Sequence, residues 1–406
     1  MTHDMDLNSG DSTATGSDRN YGHSPLKSQL VGVTGTWDFP DDTAENHVTS
    51  LHPYPARFIP AIPRQAIQAA LGAVSGTVWD PFAGSGTTLI EANQMGHVAV
   101  GVDVNHLAHF LQRVFTVRLT DDDVAFLMEL EERVRSVHVF RPPDEIVADR
   151  KDIPHLTHWF SPGAIQAIDV YLHILQEQVH STPSDLVARL SLSRVVVRVS
   201  RQQSDTQYRA TKPDVTPERA LATIASSLRE VRTQLPRYLA RQPAVPVISR
   251  LGDARDPHTY DDLPAPDLVV TSPPYPNSYE YWLYHKYRMF WLDMDPLWSR
   301  SKEIGARPFY SGTGKSGPDD FRRDMHAVLE QITRHAKSTT TQVWIMGDGV
   351  VKGRVVPTCQ LVREEAIQLG WQVKVQLKRR VQRARSSFQG IGRLKDEDIL
   401  VLGISP

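Results

Sequence analysis

The sequence S-P-P-Y, from Ser272 to Tyr275, follows an apolar run and combines hydrogen-bond acceptors with a stiff backbone. Proline fixes its own φ angle and biases the preceding residue toward extended conformations, so Pro273 and Pro274 make a rigid corner after Ser272. Such a corner points the Ser272 hydroxyl and a main-chain carbonyl the same way, as an exocyclic amino group requires. Tyr275 then offers a flat ring on which a planar base can stack.

A second stretch, D-P-F-A-G-S-G-T-T from Asp80 to Thr88, has the composition of a ligand-binding loop between a strand and a helix. Gly84 and Gly86 allow a tight turn and a close approach of a ligand to main-chain atoms. Asp103 ends the next apolar segment, where a carboxylate can accept hydrogen bonds from ribose hydroxyls. The pattern predicts a nucleoside-containing cofactor, although a purely structural turn between strand and helix would also explain the glycines.

The residues around this loop distinguish among cofactors. Leu89 stands where a dinucleotide fingerprint has its third glycine, and no lysine follows the glycines as it does in a P-loop. Asp80, directly before Pro81 and Phe82, would repel phosphates but could hold a cationic amino acid moiety, which favours S-adenosylmethionine. Asp253 adds an acid after a later strand candidate, where it could meet the adenine amino group or merely cap a turn.

The elements that must position both stretches form an α/β pattern. Residues 77–96 have the pattern of a strand, a glycine loop and a helix, and residues 97–105 that of a second strand, which makes a β-α-β unit. The alternating segment from Trp371 predicts a terminal hairpin with residues 398–404. We therefore expect a doubly wound α/β sheet with a terminal antiparallel hairpin.

The middle of the chain is different in character and predicts a helical insertion. Helical patterns dominate it, near residues 121–137, 162–178 and 216–240. The segment 189–200, R-L-S-L-S-R-V-V-V-R-V-S, is compatible with either a helix or a strand. The predicted organisation is a disordered tail over 1–45, a catalytic domain formed by 46–115 and 246–406, and the helical insertion over 116–245.

Composition and charge exclude several classes of protein. Of the 406 residues, 40% are hydrophobic and 23% are charged, which is ordinary for a soluble globular protein. No run of about 18 apolar residues exists and the N-terminus has no apolar signal region, so we expect a cytoplasmic protein without a membrane span. The single cysteine, Cys359, excludes internal disulfides and a cysteine-based zinc cluster, and no metal site is expected.

The distribution of charge is more informative than the formal net charge of −2. Residues 371–395 contain eight Lys or Arg and no acid, and residues 189–212 contain six basic residues and one acid, Asp205. A solvated face would explain either stretch alone. Two acid-poor stretches in one chain favour a groove for a polyanion.

Together, D-P-F-A-G-S-G-T-T and T-S-P-P-Y resemble the amino-methylating DNA methyltransferases, and the serine form S-P-P-Y is typical of the N4-cytosine branch. The stretch H-P-Y-P-A-R-F-I-P, from His52 to Pro60, resembles the segment that precedes the cofactor loop in this family and encloses the methionine end. The resemblance covers about residues 46–110 and 250–406. It implies a Rossmann-like S-adenosylmethionine-dependent methyltransferase fold.

The resemblance implies a role for each matching residue. Phe82, Gly84 and Gly86 would line the cofactor, with Pro81 in the same loop. Asp80 would lie near the methionine part, Asp103 would bind the ribose, and Asp253 would contact the adenine amino group. The corner that would hold a flipped base consists of Ser272, Pro273, Pro274 and Tyr275.

The resemblance also implies the reaction: a methyl group passes directly to the N4 amino group of a cytosine that is extruded from double-stranded DNA. The helical insertion is the candidate target-recognition region, with a packing subdomain or a linker as the alternative. A restriction endonuclease is a further partner that the family suggests. Adenine-N6 methylation, methylation of RNA or protein glutamine, and an inactive DNA-binding protein are the rival functions.

Overall fold

The computed structural model describes residues 37–40, 42, 46–177, 181–205, 207–240, 243, 245–277, 279–311, 313–381 and 396–404. Most of the predicted tail lies outside the described residues, and so do residues 382–395 of the basic segment 371–395. Within them, Trp37 is buried in a hydrophobic cluster, and its carbonyl accepts a hydrogen bond from Arg379 Nε at 3.0 Å. Trp37 is therefore packed against the folded domain.

A mostly parallel sheet of seven strands forms the centre of the molecule. Its strands are β1 (Thr77–Asp80), β2 (Val98–Asp103), β3 (Val247–Leu251), β4 (Leu268–Thr271), β5 (Thr341–Met346), β8 (Trp371–Arg380) and β9 (Asp396–Ile404); β6 (Gly349–Val351) and β7 (Arg354–Val356) make a separate hairpin. The strand order is β3-β2-β1-β4-β5-β9-β8. The first five strands are parallel to their neighbours, and β9 is antiparallel to both β5 and β8. The predicted doubly wound sheet with a terminal antiparallel hairpin is confirmed.

Alternate strand residues face opposite layers of helices. The helices that pack on or near the sheet are α1 (Ala61–Ala70), α2 (Thr87–Gln94), α3 (His106–Phe115), α13 (Pro318–His335) and α14 (Thr358–Gln368). Val78 and Val270 share a cluster with α1 and α2, whereas Trp79 and Val269 share one with α13 and α14. Because both faces are covered, the strands are almost continuously apolar.

The terminal hairpin contains an irregularity that its sequence does not reveal. The pairing of β8 with β9 shifts register between Val373 and Val375, so Lys374 is an extra residue on β8. A bulge of this kind breaks the two-residue alternation. Val373 consequently remains 37% exposed, although the sequence alternates regularly from Trp371 to Leu377.

The segment between α3 and β3 is helical, as predicted. It contains α4 (Asp121–Arg135), α5 (Pro143–Asp149), α6 (Leu156–Trp159), α7 (Pro162–Glu177), α8 (Thr182–Val199) and α9 (Pro217–Leu239). The ambiguous residues 189–200 lie mainly in α8, which contacts α3, α4, α7 and α9. A helix enclosed by others is apolar on most sides, so its sequence lacks a clear helical period.

The chain between β4 and β5 contains α10 (Tyr281–Trp291), α11 (Pro296–Lys302) and α12 (Arg307–Tyr310). Helix α10 contacts α8, and its residues share one hydrophobic cluster with α3 and the helical segment. The helical segment is thus joined to the sheet domain through an apolar core. No helix within the described ranges combines the length and the hydropathy that a membrane crossing requires.

Candidate active site

The glycine loop and the S-P-P-Y corner meet where the strand order reverses. Asp80 ends β1 and Thr271 ends β4, the strand beside it. The Thr271 hydroxyl donates to Asp80 Oδ1 at 2.7 Å, and the Phe82 amide donates to the same oxygen at 3.1 Å. In a doubly wound sheet this is the edge where ligands bind. The two predicted motifs therefore lie side by side.

Backbone conformation explains both glycines of the loop. Gly84 and Gly86 have φ angles of 51° and 89°, in the left-handed region that glycine adopts without strain. The Gly84 amide donates to Asp103 Oδ2 at 2.8 Å, and the Gly84 carbonyl accepts from Gln112 Nε2 at 3.0 Å. These contacts fix the loop to the end of β2 and to α3.

Leu89, the residue that breaks the dinucleotide fingerprint, packs over a glycine on the neighbouring strand. A side-chain carbon added to Gly101 would lie 2.6 Å from Leu89 Cδ2 and 3.0 Å from Ala83 Cβ. In the dinucleotide fingerprint a glycine on the helix allows close packing against the strand. Here the glycine, Gly101, is on β2 and the large residue, Leu89, is on α2. The helix still packs closely on the strand, but the strand supplies the glycine instead of the helix.

A pocket of about 860 Å³, which includes solvent at its mouth, opens at this edge of the sheet. Most of the predicted site residues line it: Asp80, Pro81, Phe82, Gly84, Asp103, Asp253, Ser272 and Pro274. Gly86 packs against Gln112 behind the loop, and Pro273 is buried, so neither is part of the lining.

The pocket contains buried carboxyl groups whose charged forms are disfavoured. Burial raises the pKa of Asp80 to about 6, against the hydrogen bonds that it accepts. Burial also raises the pKa of Asp103 to about 6, and the neighbouring Asp80 adds to this rise. A cationic ligand would favour the charged forms of both groups.

Glu303 is a fourth acid in the lining of this pocket, after Asp80, Asp103 and Asp253, and no motif in the sequence indicates it. Its side chain is 8% exposed, and one oxygen accepts a hydrogen bond from the Trp282 amide at 2.6 Å. The other oxygen, Oε2, has no hydrogen-bond partner among the described residues. Burial raises the pKa of Glu303 well above its usual value, and Asp103 raises it further. An orphaned buried acceptor is what a ligand with N–H or O–H donors would satisfy.

Aromatic rings close one side of the pocket. Tyr54, in the stretch His52 to Pro60, stacks on Tyr281 with ring centroids 5.8 Å apart and on His285 with centroids 5.0 Å apart. Tyr54 and Tyr281 both line the pocket. A carbon added to Gly84 would be 3.5 Å from the Tyr54 ring, so this ring lies over the glycine loop. The stretch before the loop thus forms one wall of the pocket.

Tyr275 is anchored to the terminal hairpin and is absent from the pocket lining. Its hydroxyl donates to Glu397 Oε1 at 3.1 Å, and Ser272 lies close enough to interact with this hydroxyl. Glu397 also pairs with Arg379, at 2.6 Å between Oε2 and the guanidinium. Arg379 is buried, so this member of the basic segment 371–395 is used inside the protein.

Two glycines allow neighbouring backbone to pack against the corner. A carbon added to Gly305 would be 2.6 Å from the Tyr275 carbonyl oxygen, and one added to Gly349 would be 2.8 Å from the Pro276 carbonyl oxygen. Gly305 also has a φ angle of 75°. The corner is therefore held from outside as well as by its own prolines.

The remaining predicted residues have defined surroundings. Both oxygens of Asp253 accept from Arg255, at 2.9 and 2.7 Å, while Asp253 still lines the pocket.

Cys359 is buried at the start of α14, and burial raises the pKa of its thiol to about 12. Such a thiol is a poor nucleophile at neutral pH. Among the described residues, no group of three or more His, Cys, Asp or Glu could hold a metal ion.

Comparisons with known proteins agree with the sequence motifs. A family model described as DNA methylase, N6_N4_Mtase, matches residues 9–109. The chain is 23% identical over 362 residues to the type II methyltransferase M.MvaI of Kocuria varians, covering 77% of this chain and 79% of the relative. It is 21% identical over 398 residues to the type II methyltransferase M.MjaII of Methanocaldococcus jannaschii, covering 75% and 74%. The predicted resemblance to amino-methylating DNA methyltransferases is confirmed, without a distinction between N4 and N6.

Similarity to solved structures is weak. The rRNA methyltransferase aviRa from Streptomyces viridochromogenes matches with a TM-score of 0.33 and 13% identity, over 88% of this chain and 92% of that one. TrmN from Thermus thermophilus matches with a TM-score of 0.33 and 10% identity, over 86% and 49%. The fold is defined by the strand order and pairing of this chain.

Proposed function

We propose that this amino-methylating DNA methyltransferase transfers a methyl group from S-adenosylmethionine to the exocyclic N4 amino group of cytosine in double-stranded DNA. The observation that supports this most directly is that Ser272 and the glycine loop line one pocket. An amino group bound at the corner would lie beside a cofactor bound at the loop. Proximity of this kind is the main requirement of a direct transfer.

The pocket suits S-adenosylmethionine in charge and in hydrogen bonding. Asp80, Asp103 and Glu303 supply carboxylates, while the ligand's sulfonium and ammonium groups are cationic. We assign Asp103 to the ribose hydroxyls and Asp80 to the region of the methionine part. Glu303 Oε2, an acceptor without a partner among the described residues, would accept from an N–H or O–H of the cofactor. Phe82, Pro81 and Gly84 would line the nucleoside, and Asp253 keeps acceptor capacity for the adenine amino group.

Ser272 and the Pro273 carbonyl are the proposed catalytic acceptors. The cofactor supplies an electrophilic methyl group, and the N4 lone pair forms the new N–C bond as the C–S bond breaks toward sulfur. The amino nitrogen gains positive charge, and the two acceptors stabilise that charge through its N–H groups. The extra proton leaves the methylated nitrogen for water after transfer. Tyr275 would stack on the flipped base with its hydroxyl held by Glu397.

Cytosine N4 is preferred over adenine N6 because Ser272 is neutral. Relatives that act on adenine more often have aspartate at this position, as the family pattern implies. Adenine-N6 methylation remains the second candidate, because the two acceptors of the corner suit either amino group. The intact loop and the enclosed pocket favour an enzyme over an inactive DNA-binding protein.

Both curated relatives are named type II methyltransferases, which supports a restriction-modification role with an endonuclease as partner. A DNA substrate also implies a cytoplasmic location. The helical segment α4–α9 is the proposed target-recognition region. Its junction with the pocket is formed by Tyr54, His285 and α10.

Transfer of a radiolabelled methyl group to a mixed-sequence duplex tests the proposed activity. We expect incorporation into the duplex by the wild-type chain, and a much lower rate for Ser272→Ala at the same cofactor occupancy. RNA of the same sequence serves as the comparison substrate. Incorporation into RNA alone would exclude the proposed substrate class.

A further inference from the structure

A second cavity lies on the other side of the segment that encloses the cofactor pocket. It has a volume of about 930 Å³, with open solvent included. Residues from three parts of the chain line it. The first part is residues 50–53 together with Arg57, and the second is the end of α8 together with residues 203–205 and 212. The third part is α10, which contributes Arg288. Arg57 lines both this cavity and the cofactor pocket.

The lining of this cavity is strongly basic. It includes the cations Arg57, Arg194, Arg198, Lys212 and Arg288, and its single acid is Asp205. Basic residues of the acid-poor stretch 189–212 are thus brought together with cations from distant parts of the sequence.

Two of these cations, Arg57 and Lys212, donate to carbonyl groups that do not neutralise their charge, and Arg288 donates both to a carbonyl and to the cavity's acid. Arg57 donates to the Thr49 carbonyl, and Lys212 Nζ donates to the Val197 carbonyl at 2.8 Å. Arg288 donates to the Ser193 carbonyl at 2.9 Å and pairs with Asp205. A carbonyl is a dipole and leaves the net charge in place. The cavity therefore has a positive potential that Asp205 only partly offsets.

Arg194 pairs with an acid that lies outside the lining. Its guanidinium pairs with Glu230 at 2.7 Å and also contacts Ser227. Even with this pair counted as neutral, the cations outnumber the acid. Burial and the nearby Arg198 lower the pKa of Lys212, so an anion between these two groups would relieve their repulsion.

Arg198 is the cation most available to a ligand. It lies in the last turn of α8, is exposed, and forms no hydrogen bond or ion pair with the residues that the structure describes. Gln203, Ser204 and Ser50 add uncharged hydrogen-bond donors to the lining of the same cavity. Buried His52 lines it too, and its Nδ1 has no hydrogen-bond partner among the described residues. Several donors around a concave basic surface are suited to phosphate oxygens.

We propose that this cavity binds a backbone phosphate of the substrate DNA, with Arg198 and Lys212 as its principal contacts. The proposal rests on the proposed function, because duplex DNA is the source of the phosphate. A phosphate held beside residues 50–57 lies next to the wall of the cofactor pocket. The contact fixes the position of the duplex and is independent of base sequence.

Arg198→Gln tests the site, because it removes a charge without breaking a contact between described residues. DNA affinity is measured over a series of salt concentrations, with a duplex of mixed sequence and no cofactor. We expect the affinity to fall by about tenfold, because that fold-change corresponds to the free energy of one hydrogen bond to a charged group. The slope of log K against log salt should decrease in magnitude by about 0.9, the value for one lost phosphate contact.

Arg113→Gln is the matched control, because Arg113 is also an exposed arginine in the last turn of a helix, α3, and lies outside the proposed target-recognition region. It should leave both the affinity and the slope unchanged. Asp205→Asn provides a test in the opposite direction, since removal of the cavity's acid should tighten DNA binding at low salt. Equal effects of Arg198→Gln and Arg113→Gln would overturn the site.

Inorganic phosphate distinguishes the source of the ligand. Phosphate, titrated against sodium chloride at equal ionic strength, should compete with DNA for the wild-type chain and not for Arg198→Gln. A variant that loses phosphate binding but keeps the DNA affinity and slope would show a site for a free anion and overturn the proposal. Methyl transfer by the wild-type chain is measured separately, so failure of the proposed function does not affect this comparison.

Discussion

The Tyr275 hydroxyl donates a hydrogen bond to Glu397 Oε1 at 3.1 Å, which joins the S-P-P-Y corner to β9. Glu397 in turn pairs with Arg379 of β8, and Arg379 donates to the Trp37 carbonyl. A single chain of contacts therefore runs from the N-terminal segment through the terminal hairpin to the proposed catalytic residues. The ring that would stack on the flipped base is fixed at its polar end.

Tyr275→Phe should lower turnover while the protein stays folded. The ring remains and Glu397 keeps its pair with Arg379, while the hydroxyl's hydrogen bond to Glu397 and its contact with Ser272 are lost. Loss of one hydrogen bond, about 1 kcal/mol, predicts a decrease of roughly fivefold in the single-turnover rate. Tyr171→Phe is the control, because it removes a buried hydroxyl bonded to the Ala188 carbonyl in the helical segment. An unchanged rate for Tyr275→Phe would contradict the proposed positioning role.

Ser272→Ala should decrease turnover by about 10²- to 10³-fold, the effect of removing one preorganised polar group at a charged transition state. Cofactor affinity, measured by calorimetry, should stay within about threefold, because Asp103 and the glycine loop are untouched. Ser301→Ala removes an exposed hydroxyl and should change neither quantity. A loss of cofactor binding comparable to the loss of turnover would refute the division between the two sites.

Cofactor affinity should decrease as the pH falls. Burial raises the pKa of Asp80 and of Asp103 to about 6. Both groups are mostly charged above this value and mostly protonated below it, so the cationic cofactor loses its partners at low pH. The slope of log K against pH should approach about one per coupled proton below pH 6, and binding near pH 6 should release protons. Calorimetry in buffers of different ionisation enthalpy measures both effects.

S-adenosylhomocysteine is the matched ligand for this experiment, because it lacks the sulfonium charge. Its affinity should depend less steeply on pH than that of S-adenosylmethionine. Identical pH profiles for the two ligands would show that the carboxyl groups do not respond to the charge of the cofactor.

Gly305→Ala should impair turnover more than stability. The added carbon would lie 2.6 Å from the Tyr275 carbonyl oxygen and displace the corner. Gly353→Ala is the control, because its φ angle of 78° is similar to the 75° of Gly305 and nothing lies within 4 Å of the added carbon. The left-handed conformation should cost both variants about 1–2 kcal/mol of unfolding free energy, and the clash with the corner adds to this loss in Gly305→Ala. The excess loss of turnover should be confined to Gly305→Ala.

The sequence predicted the parts of the site that depend on strand ends. Asp80, Asp103 and Ser272 each follow a buried strand, and parallel strands bring such ends to one edge of a sheet. Gly84 and Gly86 were predictable because only glycine takes left-handed φ angles at no cost. The terminal hairpin followed from its alternating pattern, and the bulge at Lys374 did not.

The remaining features depend on contacts between residues that are far apart in the sequence. Glu303 and Glu397 belong to no motif, and each acquires its role only when its segment packs against the pocket or the corner. The close packing of Leu89 on Gly101 involves a helix and a strand whose separate sequences give no sign of it. Helix α8 was ambiguous because helices on several sides make it apolar nearly all round.

The identity of the methylated nucleoside tests the proposed function most directly. Duplex DNA of mixed sequence, methylated with S-adenosylmethionine by the wild-type chain, is digested to nucleosides and analysed by mass spectrometry. We predict N4-methylcytosine as the product, with none formed by Ser272→Ala above background. N6-methyladenine as the only methylated nucleoside would contradict the assignment of Ser272 to cytosine.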